Sequence, residues 1–512
     1  MFSRVGFFVE HMESNGLFGH QLACQGRTSI IPRDMIWLDD LRQLLPAERI
    51  LTNPSAMFVY EYDAFTIARS RPAAVVFPTS TLELSAVLKI LDEHNVPIIP
   101  RGSGTGLAGG CIALQYGVII STSKMTRICK IDVNNRVAQV EAGVRNTALS
   151  DAVATTKGGE KLHFAPDPSS GRASTIGGNA ATNAGGVHTL KDFVTSNHIL
   201  GVTMVLPDGE ILTVGGQNGC YEDSPFDLPG LICGSEGTLG IITELWVRLV
   251  PKPTYFSTLV ATFSSSIDAC ETVSEIISSG MLPAAMEMMD GQMIRVVEDA
   301  FHFGFSTDAK ALLLIELDGV SNLVEAQIKR VAEICRMHHA VTTEQSNDPA
   351  RRAALWKARK SAFGAIGRIS HSYCTQDACV PRSMLADVLA KIEAIGREHG
   401  LLIPSAFHAG DGNIHPIFLY DETNEAQVQD TLKAAEKVLK YCIDIGGTLT
   451  GEHGVGVEKI HLMPYLFDAP TMEQFNRIRA VFDPKERINA GKLLPSEKVS
   501  FNLINPGRNV PQ

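Results

Sequence analysis

Short, almost wholly apolar runs alternate along the chain with longer stretches in which apolar residues recur at helical spacing. That combination predicts buried strands separated by amphipathic helices. Arg71 to Pro78 reads as a short buried strand, Thr81 to Leu91 as a capped helix, and Val96 to Pro100 as a second strand. Val118-Ile119-Ile120 and Ile241 to Leu249 are further β-branched runs. Val250-Pro251-Lys252-Pro253 then marks a boundary, because two prolines block continuation of a strand, and a second pattern starts near Thr254. It holds helices at about Leu323 to His338, Met384 to His399 and Ala426 to Ile445, with strands near Ala311 to Leu317 and Leu402 to Phe407. Such alternation makes the second unit α+β or α/β. The expected division is an extension and lead-in over 1–54, a first domain over 55–250, a second over 251–497 and a tail over 498–512.

The strand ending at Pro100 feeds Arg101-Gly102-Ser103-Gly104-Thr105-Gly106-Leu107-Ala108-Gly109-Gly110. A backbone this rich in glycine can turn its N–H groups around a phosphate, although a plain surface loop is the alternative reading. Gly104, Gly106 and Gly109 spell the G-x-G-x-x-G dinucleotide fingerprint. A Rossmann unit then requires a helix starting on the third glycine. Here Cys111 to Leu114, a Gln115-Tyr116-Gly117 turn and Val118 to Ile120 read instead as strand, turn, strand. Two more glycine-dense loops are expected, from Ser174 to Gly186 and from Gly234 to Gly240. Three such segments suit one extended ligand, a dinucleotide with a buried ring system.

Composition narrows the class. The 512 residues are 45% hydrophobic and 20% charged, ordinary values for a globular chain of no more than about three domains. A net charge of −11 argues against a nucleic-acid surface. Ten cysteines are scattered without C-x-x-C spacing, so neither a disulfide framework nor an iron–sulfur cluster is expected. No apolar run approaches the roughly 20 residues of a membrane span. Val5 to Val9, interrupted by Glu10 and Glu13, is too short for a signal segment, and residues before about Ile31 read as an extension. The expected location is the cytoplasm, with attachment to the inner face of the membrane through partners left open.

Candidate chemistry lies in the second half. Ala406 to Phe418 carries turn residues between two β-like flanks and predicts a hairpin with Gly410 to Asn413 as its loop. In that register His408 lies opposite His415, a start for two imidazoles on one metal ion, or for two histidines hydrogen-bonded within a strand pair. Glu452, in Gly451-Glu452-His453-Gly454, would complete a two-histidine, one-carboxylate site. His453 beside it has the position of a general base. In Leu355-Trp356-Lys357-Ala358-Arg359-Lys360, a solvated basic face is the plain reading and Arg359 the candidate clamp for a small carboxylate.

Taken in order, Pro100 to Gly110, Pro166-Asp167-Pro168-Ser169-Ser170, Ile176 to Asn179 with Asn183 to Gly186, Gly234 to Gly237, His408 to His415, Gly451 to Gly454 and Asn489-Ala490-Gly491-Lys492 resemble one family. It is the FAD-linked oxidases with a vanillyl-alcohol-oxidase (PCMH)-type FAD-binding domain, in the branch of D-lactate, D-2-hydroxyglutarate and glycolate dehydrogenases. The resemblance covers about residues 55 to 497. Gly185 to His188, Met286 to Asp290, Glu316 to Val320 and Gly367 to Ser370 are similar to the flavin subunits of bacterial glycolate oxidases.

The resemblance implies an α+β protein: a PCMH-type FAD-binding domain plus an α+β substrate or cap domain whose C-terminal helices return to the FAD domain. It implies FAD contacts at Arg101, Gly102, Ser103, Gly104, Thr105, Gly106, Pro166, Ser169, Gly178, Asn179, Asn183, Glu236, Gly237, Ile242 and Asn489. It further implies a divalent metal, zinc or manganese, on His408, His415 and Glu452, with His453 as base and Arg359 binding the substrate carboxylate. The implied reaction is oxidation of a 2-hydroxy acid, foremost glycolate to glyoxylate, by hydride transfer to flavin, with D-lactate to pyruvate as the alternative. A non-catalytic flavin-binding subunit and a nicotinamide enzyme are weaker readings. Without cluster cysteines of its own, the chain is expected to pass electrons to an iron–sulfur partner or a quinone, beside a second flavin-domain-like subunit. Two departures inform the expectation. Relatives specific for 2-hydroxyglutarate carry lysine near Thr375 and asparagine near Ile417, so a monocarboxylate is favoured here. Thr105 stands where some members of the wider fold carry a flavin-linking histidine, so dissociable FAD is expected.

Overall fold

Ala74-Val75-Val76 is fully buried and forms the strand that the apolar run predicts. In the computed structural model, which describes residues 35–114 and 116–499, it leads to a helix at Thr81–Glu93 and a strand at Ile98–Arg101. The extension before about Ile31 and all but the start of the tail lie outside the described residues. Ser80 caps the helix by accepting from the Glu83 N–H at 3.2 Å, while Glu83 reaches back to the Thr79 N–H at 2.7 Å. Leu84, Val87, Leu88 and Leu91 form its buried face. Strand Val118–Ser121 lies between Ala74–Val76 and Ile98–Arg101, parallel to both, and Ile50–Leu51 closes the far edge antiparallel.

A five-stranded antiparallel sheet follows in the order 128–132, 137–141, 241–248, 199–205, 211–215. The two-residue strands Leu162–His163 and Val250–Pro251 pair with each other. Every strand of the third sheet begins at or after Tyr255. Its order is 342–346, 255–263, 311–319, 285–290, 405–408, 413–420, 372–375, with 378–379 also on strand 413–420. Helices Ser266–Ser278, Ser321–Met337, Leu385–His399 and Glu425–Asp444 pack apolar faces into its core. Phe65, Ile67, Ala68 and Ile112 belong to that same buried cluster, so the two halves share apolar packing.

After helix Ala469–Phe482 the chain returns to the first sheet. Ile98 donates its N–H to the Arg487 carbonyl at 2.9 Å and accepts the Asn489 N–H at 2.8 Å, and Ile488 is fully buried there. This is the α+β architecture with a returning C-terminal segment.

Two local expectations are corrected. Cys111–Leu114 is not a strand: Ile112 and Ala113 are buried, and their carbonyls accept from the Lys492 ammonium and, at 2.6 Å, the Ser70 hydroxyl instead of a ladder. The missing Rossmann helix is indeed absent there. The stretch Ile176–Thr182 is a helix capped by Thr175, not a loop. Gly177 serves packing, since a Cβ there would sit 2.5 Å from the Ala142 Cβ.

Candidate active site

One cavity of about 420 Å³ runs from the glycine loop to the third sheet. Gly102 to Gly106, the start of helix Ile176–Thr182, and Ser235 to Gly237 all border it, so the three glycine-rich segments converge on one space. Arg101, Ser169, Gly178, Asn179, Glu236 and Ile242 line it as well. Pro166, Asn183 and Asn489 do not; they hold its walls. The Pro166 carbonyl accepts from Asn146 at 2.7 Å, Asn183 ends the helix in left-handed conformation and accepts from the Ser196 N–H, and Asn489 donates to the Gly110 and Glu236 carbonyls at 2.9 and 2.6 Å.

Arg101 turns behind the loop. It donates to the Tyr62 carbonyl at 2.9 Å and stacks 5.3 Å from the Tyr60 ring. Gly104, at φ +74°, passes over it so closely that a Cβ would lie 2.1 Å from the guanidinium. The Glu236 carboxylate likewise faces protein, accepting the Val455 and Gly456 N–H groups at 2.6 and 2.8 Å. Burial raises that carboxyl against those hydrogen bonds. These residues hold the backbone in a concave shape, leaving its surface to the ligand.

At the other end the hairpin register differs from the one expected. His408 pairs with Asn413 and His415 with Ala406, so the connection is Ala409 to Gly412 and the two histidines are diagonal on one face. Their rings still meet edge to face, 5.0 Å between centroids, because long side chains span a diagonal. Glu452 Oε1 lies 3.2 Å from His408 Nε2 and 3.3 Å from His415 Nε2. Tetrahedral coordination with bonds of about 2.0–2.1 Å places ligand atoms about 3.4 Å apart, so this donor set fits a divalent ion. Burial alone would raise the Glu452 carboxyl, but His408 and His415 hold it well below the usual range, in the charged form a metal requires.

Two acids complete the cluster that the motifs did not reveal. Glu287 accepts from His408 Nδ1 at 2.7 Å and pairs with Arg359 Nη2 at 2.8 Å. It thereby orients one imidazole and the guanidinium together. Asp377 lies 3.9 Å from His415 Nδ1. Glu287 is a lone acid between methionines, Met286-Glu287-Met288, and Asp377 opens the apolar run Ala378-Cys379-Val380; a buried carboxylate at either place demands a charged or polar partner. That was the available signal.

His453 stacks on His415, 5.0 Å between centroids and 13° between planes, with its Nε2 3.9 Å from Glu452. Burial pushes its imidazole down to about 4 against the pull of Asp377, so it stands neutral and able to accept a proton. Arg359 is buried at the cavity wall on helix Pro349–Lys360, whereas Lys357 and Lys360 are exposed. That helix is anchored by Glu316, which receives Arg352 through two nitrogens and Trp356 Nε1 at 2.7 Å. His188, from the first half, lies 3.7 Å from the same carboxylate. Ala362, Phe363, Tyr373 and Ile417 give the space around Arg359 an apolar wall. Among the described residues the nine cysteines are free, and no cysteine joins a metal-capable cluster.

Comparison with known proteins places this geometry in context. The family model described as FAD binding domain matches residues 72–215, and that described as FAD linked oxidases, C-terminal domain, matches 252–493. Glycolate oxidase subunit GlcD of Escherichia coli (strain K12) is 40% identical over 457 residues, covering 89% of this chain and 90% of that protein. D-lactate dehydrogenase of Archaeoglobus fulgidus is 32% identical over 463 residues, covering 90% and 99%. The solved structure of p-cresol methylhydroxylase with substrate bound superposes with a TM-score of 0.75 at 17% identity, over 91% of this chain and 98% of that one, a likeness of fold.

Proposed function

Since the chain belongs to the FAD-linked oxidases, we propose that it oxidises glycolate to glyoxylate by hydride transfer to FAD held in the cavity described above. The observation that carries this reading is the meeting, in one cavity, of the glycine-rich walls, Arg359 and the His408, His415, Glu452 and His453 group. The 40% identity to a glycolate oxidase subunit supports the substrate.

FAD, when bound, supplies the acceptor for the hydride that leaves the α-carbon. A divalent ion held by His408, His415 and Glu452 would supply Lewis acidity toward the substrate hydroxyl. Arg359 binds the substrate carboxylate by charge-assisted hydrogen bonds, its orientation set by Glu287. Neutral His453 Nε2 takes the hydroxyl proton, and the imidazolium formed is stabilised by Glu452 and Asp377. The hydroxyl loses a proton to His453 and the α-carbon loses a hydride, leaving the 2-oxo acid. Phe363 and Ile417 offer no partner for a second carboxylate, and Tyr373 offers a neutral hydroxyl rather than a cation, which favours a monocarboxylate.

Anaerobic titration of the purified yellow protein with glycolate, D-lactate, L-lactate and D-2-hydroxyglutarate tests the reading. Glycolate is expected to bleach the flavin with the highest kcat/KM. A higher value for D-lactate installs the second reading, which the D-lactate dehydrogenase relative supports; no bleaching by any of the four overturns both. Thr105 lines the loop, and with no flavin-linking side chain at that position FAD would be held by non-covalent contacts. Acid precipitation should therefore release the yellow colour to the supernatant, and colour retained in the pellet refutes it. Reduced flavin would be reoxidised by an iron–sulfur subunit or a quinone, within an assembly like the one implied by the relative's name as an oxidase subunit. No helix among the described residues is long and apolar enough to cross a membrane.

A further inference from the structure

Residues 450–454 carry both Glu452 and His453, yet they lie in neither helix nor strand. Their ordering has to come from elsewhere. Asp377, fully buried between strands Ser372–Thr375 and Ala378–Cys379, provides it. Its carboxylate accepts the Thr450 hydroxyl and the N–H groups of Gly451 at 2.9 Å, Glu452 at 3.2 Å and His453 at 3.0 Å. The same carboxylate accepts Asn413 Nδ2 at 2.7 Å, from the residue paired with His408, and lies 3.9 Å from His415 Nδ1. Fully buried Lys459 lies 3.5 Å from it and donates to the Gly454 carbonyl at 3.2 Å, fixing the other end of the loop.

We propose that Asp377 is the positioning residue of the site, a single carboxylate that gathers the 450–453 backbone and Asn413 so that Glu452 and His453 stand at fixed distance from His415. The inference rests on the function proposed above and names the residue that sets its geometry. Backbone donors converging on one buried carboxylate fix the loop more firmly than packing alone, since each broken bond would leave a polar group unpaired. Misplacement of a ligand and a base together costs more than either loss of charge at a distance.

The test is Asp377→Asn in the full-length flavoprotein, beside wild type and Thr450→Val. An amide nitrogen in place of Oδ2 takes the acceptor from Thr450, Gly451 and His453, and one in place of Oδ1 takes it from Asn413, so the cluster loses at least one hydrogen bond in either orientation. Expected are a 10- to 100-fold weaker Mn²⁺ affinity by calorimetry with Mn²⁺ alone, about the loss typical of outer partners of metal ligands, and a kcat reduced by about the same factor. FAD content stays at the wild-type value and KM for glycolate within about threefold, because Arg359 sits on a helix Asp377 does not touch. A general packing defect would lower FAD content and raise KM as well, and would overturn the proposal. If Asp377→Asn does not fold, Thr450→Val carries the test by removing the hydroxyl that donates to Asp377 and accepts the Gly454 N–H at 2.9 Å, with Mn²⁺ affinity and kcat falling severalfold. Unchanged Mn²⁺ affinity and kcat in the folded variant refute the positioning role while leaving the oxidase reading intact. Wild type that is bleached by glycolate without taking up Mn²⁺ leaves the kcat and KM split to decide. A wild-type protein that neither binds Mn²⁺ nor is bleached refutes both.

Discussion

Replacement of His453 by alanine is expected to leave FAD bound and to cut the rate of flavin bleaching by glycolate about 10²- to 10⁴-fold, the range that a positioned proton acceptor contributes. The His453 ring stacks on His415 at 5.0 Å and its Nε2 lies 3.9 Å from Glu452, at the end of the cavity away from the glycine loop's own hydrogen bonds. Its backbone N–H stays on Asp377 whatever the side chain, so the loop remains ordered. Burial keeps its imidazole neutral, so a ring nitrogen lone pair is free to face a hydroxyl held beside Glu452. Stopped-flow absorbance of anaerobic flavin measures the effect directly. Wild-type bleaching by the alanine variant would remove His453 from the reaction and leave Glu452 as the nearest acceptor.

Loss of the carboxylate charge at Glu452 should be nearly as severe. Glu452→Gln keeps the shape but turns a strong anionic ligand into a weak neutral one, between two imidazoles 3.2 and 3.3 Å away. Several kcal/mol of charge stabilisation depend on such a site, so kcat should fall by about two to three decades. Mass-spectrometric metal analysis of the variant should find the divalent ion lost. Wild type dialysed against a chelator should lose activity in parallel and recover it when Zn²⁺ or Mn²⁺ is returned. Full turnover by metal-free wild type would sink the metal reading and leave the histidine pair as a hydrogen-bonded structural element.

Much of this arrangement is legible in the chain because its elements are locally determined. Thr81 to Leu91 has its own cap and apolar face, and Val118 to Ile120 its β-branched run, so both form where the pattern places them. Register is less local. A shift of the connection from Gly410–Asn413 to Ala409–Gly412 moves His408 from opposite His415 to a diagonal position, and turn residues occur in both windows. The pair survived because a two-residue offset preserves the face of a strand. Glu287 and Asp377 were beyond reach for a different reason: one lies on a strand and the other on a link between strands, 121 and 38 residues away from His408 and His415, and no short motif encodes which segments become neighbours. The second glycine-rich segment misled through composition. Gly177 there meets Ala142, in the turn after strand Val137–Glu141, across a tight helix contact.

The returning C-terminal segment has a consequence for how the protein is made. Asn489 reaches Gly110 across 379 residues of chain, and Lys492 reaches Ile112 across 380. A nascent chain emerging from the ribosome can build the first two sheets early, but the carbonyls at Gly110 and Ile112 wait for donors that follow 379 and 380 residues later. Contacts of such span close slowly. A chain that stops short of Asn489 therefore leaves the cradle unfinished, without the donors that fix the Gly110 and Ile112 carbonyls.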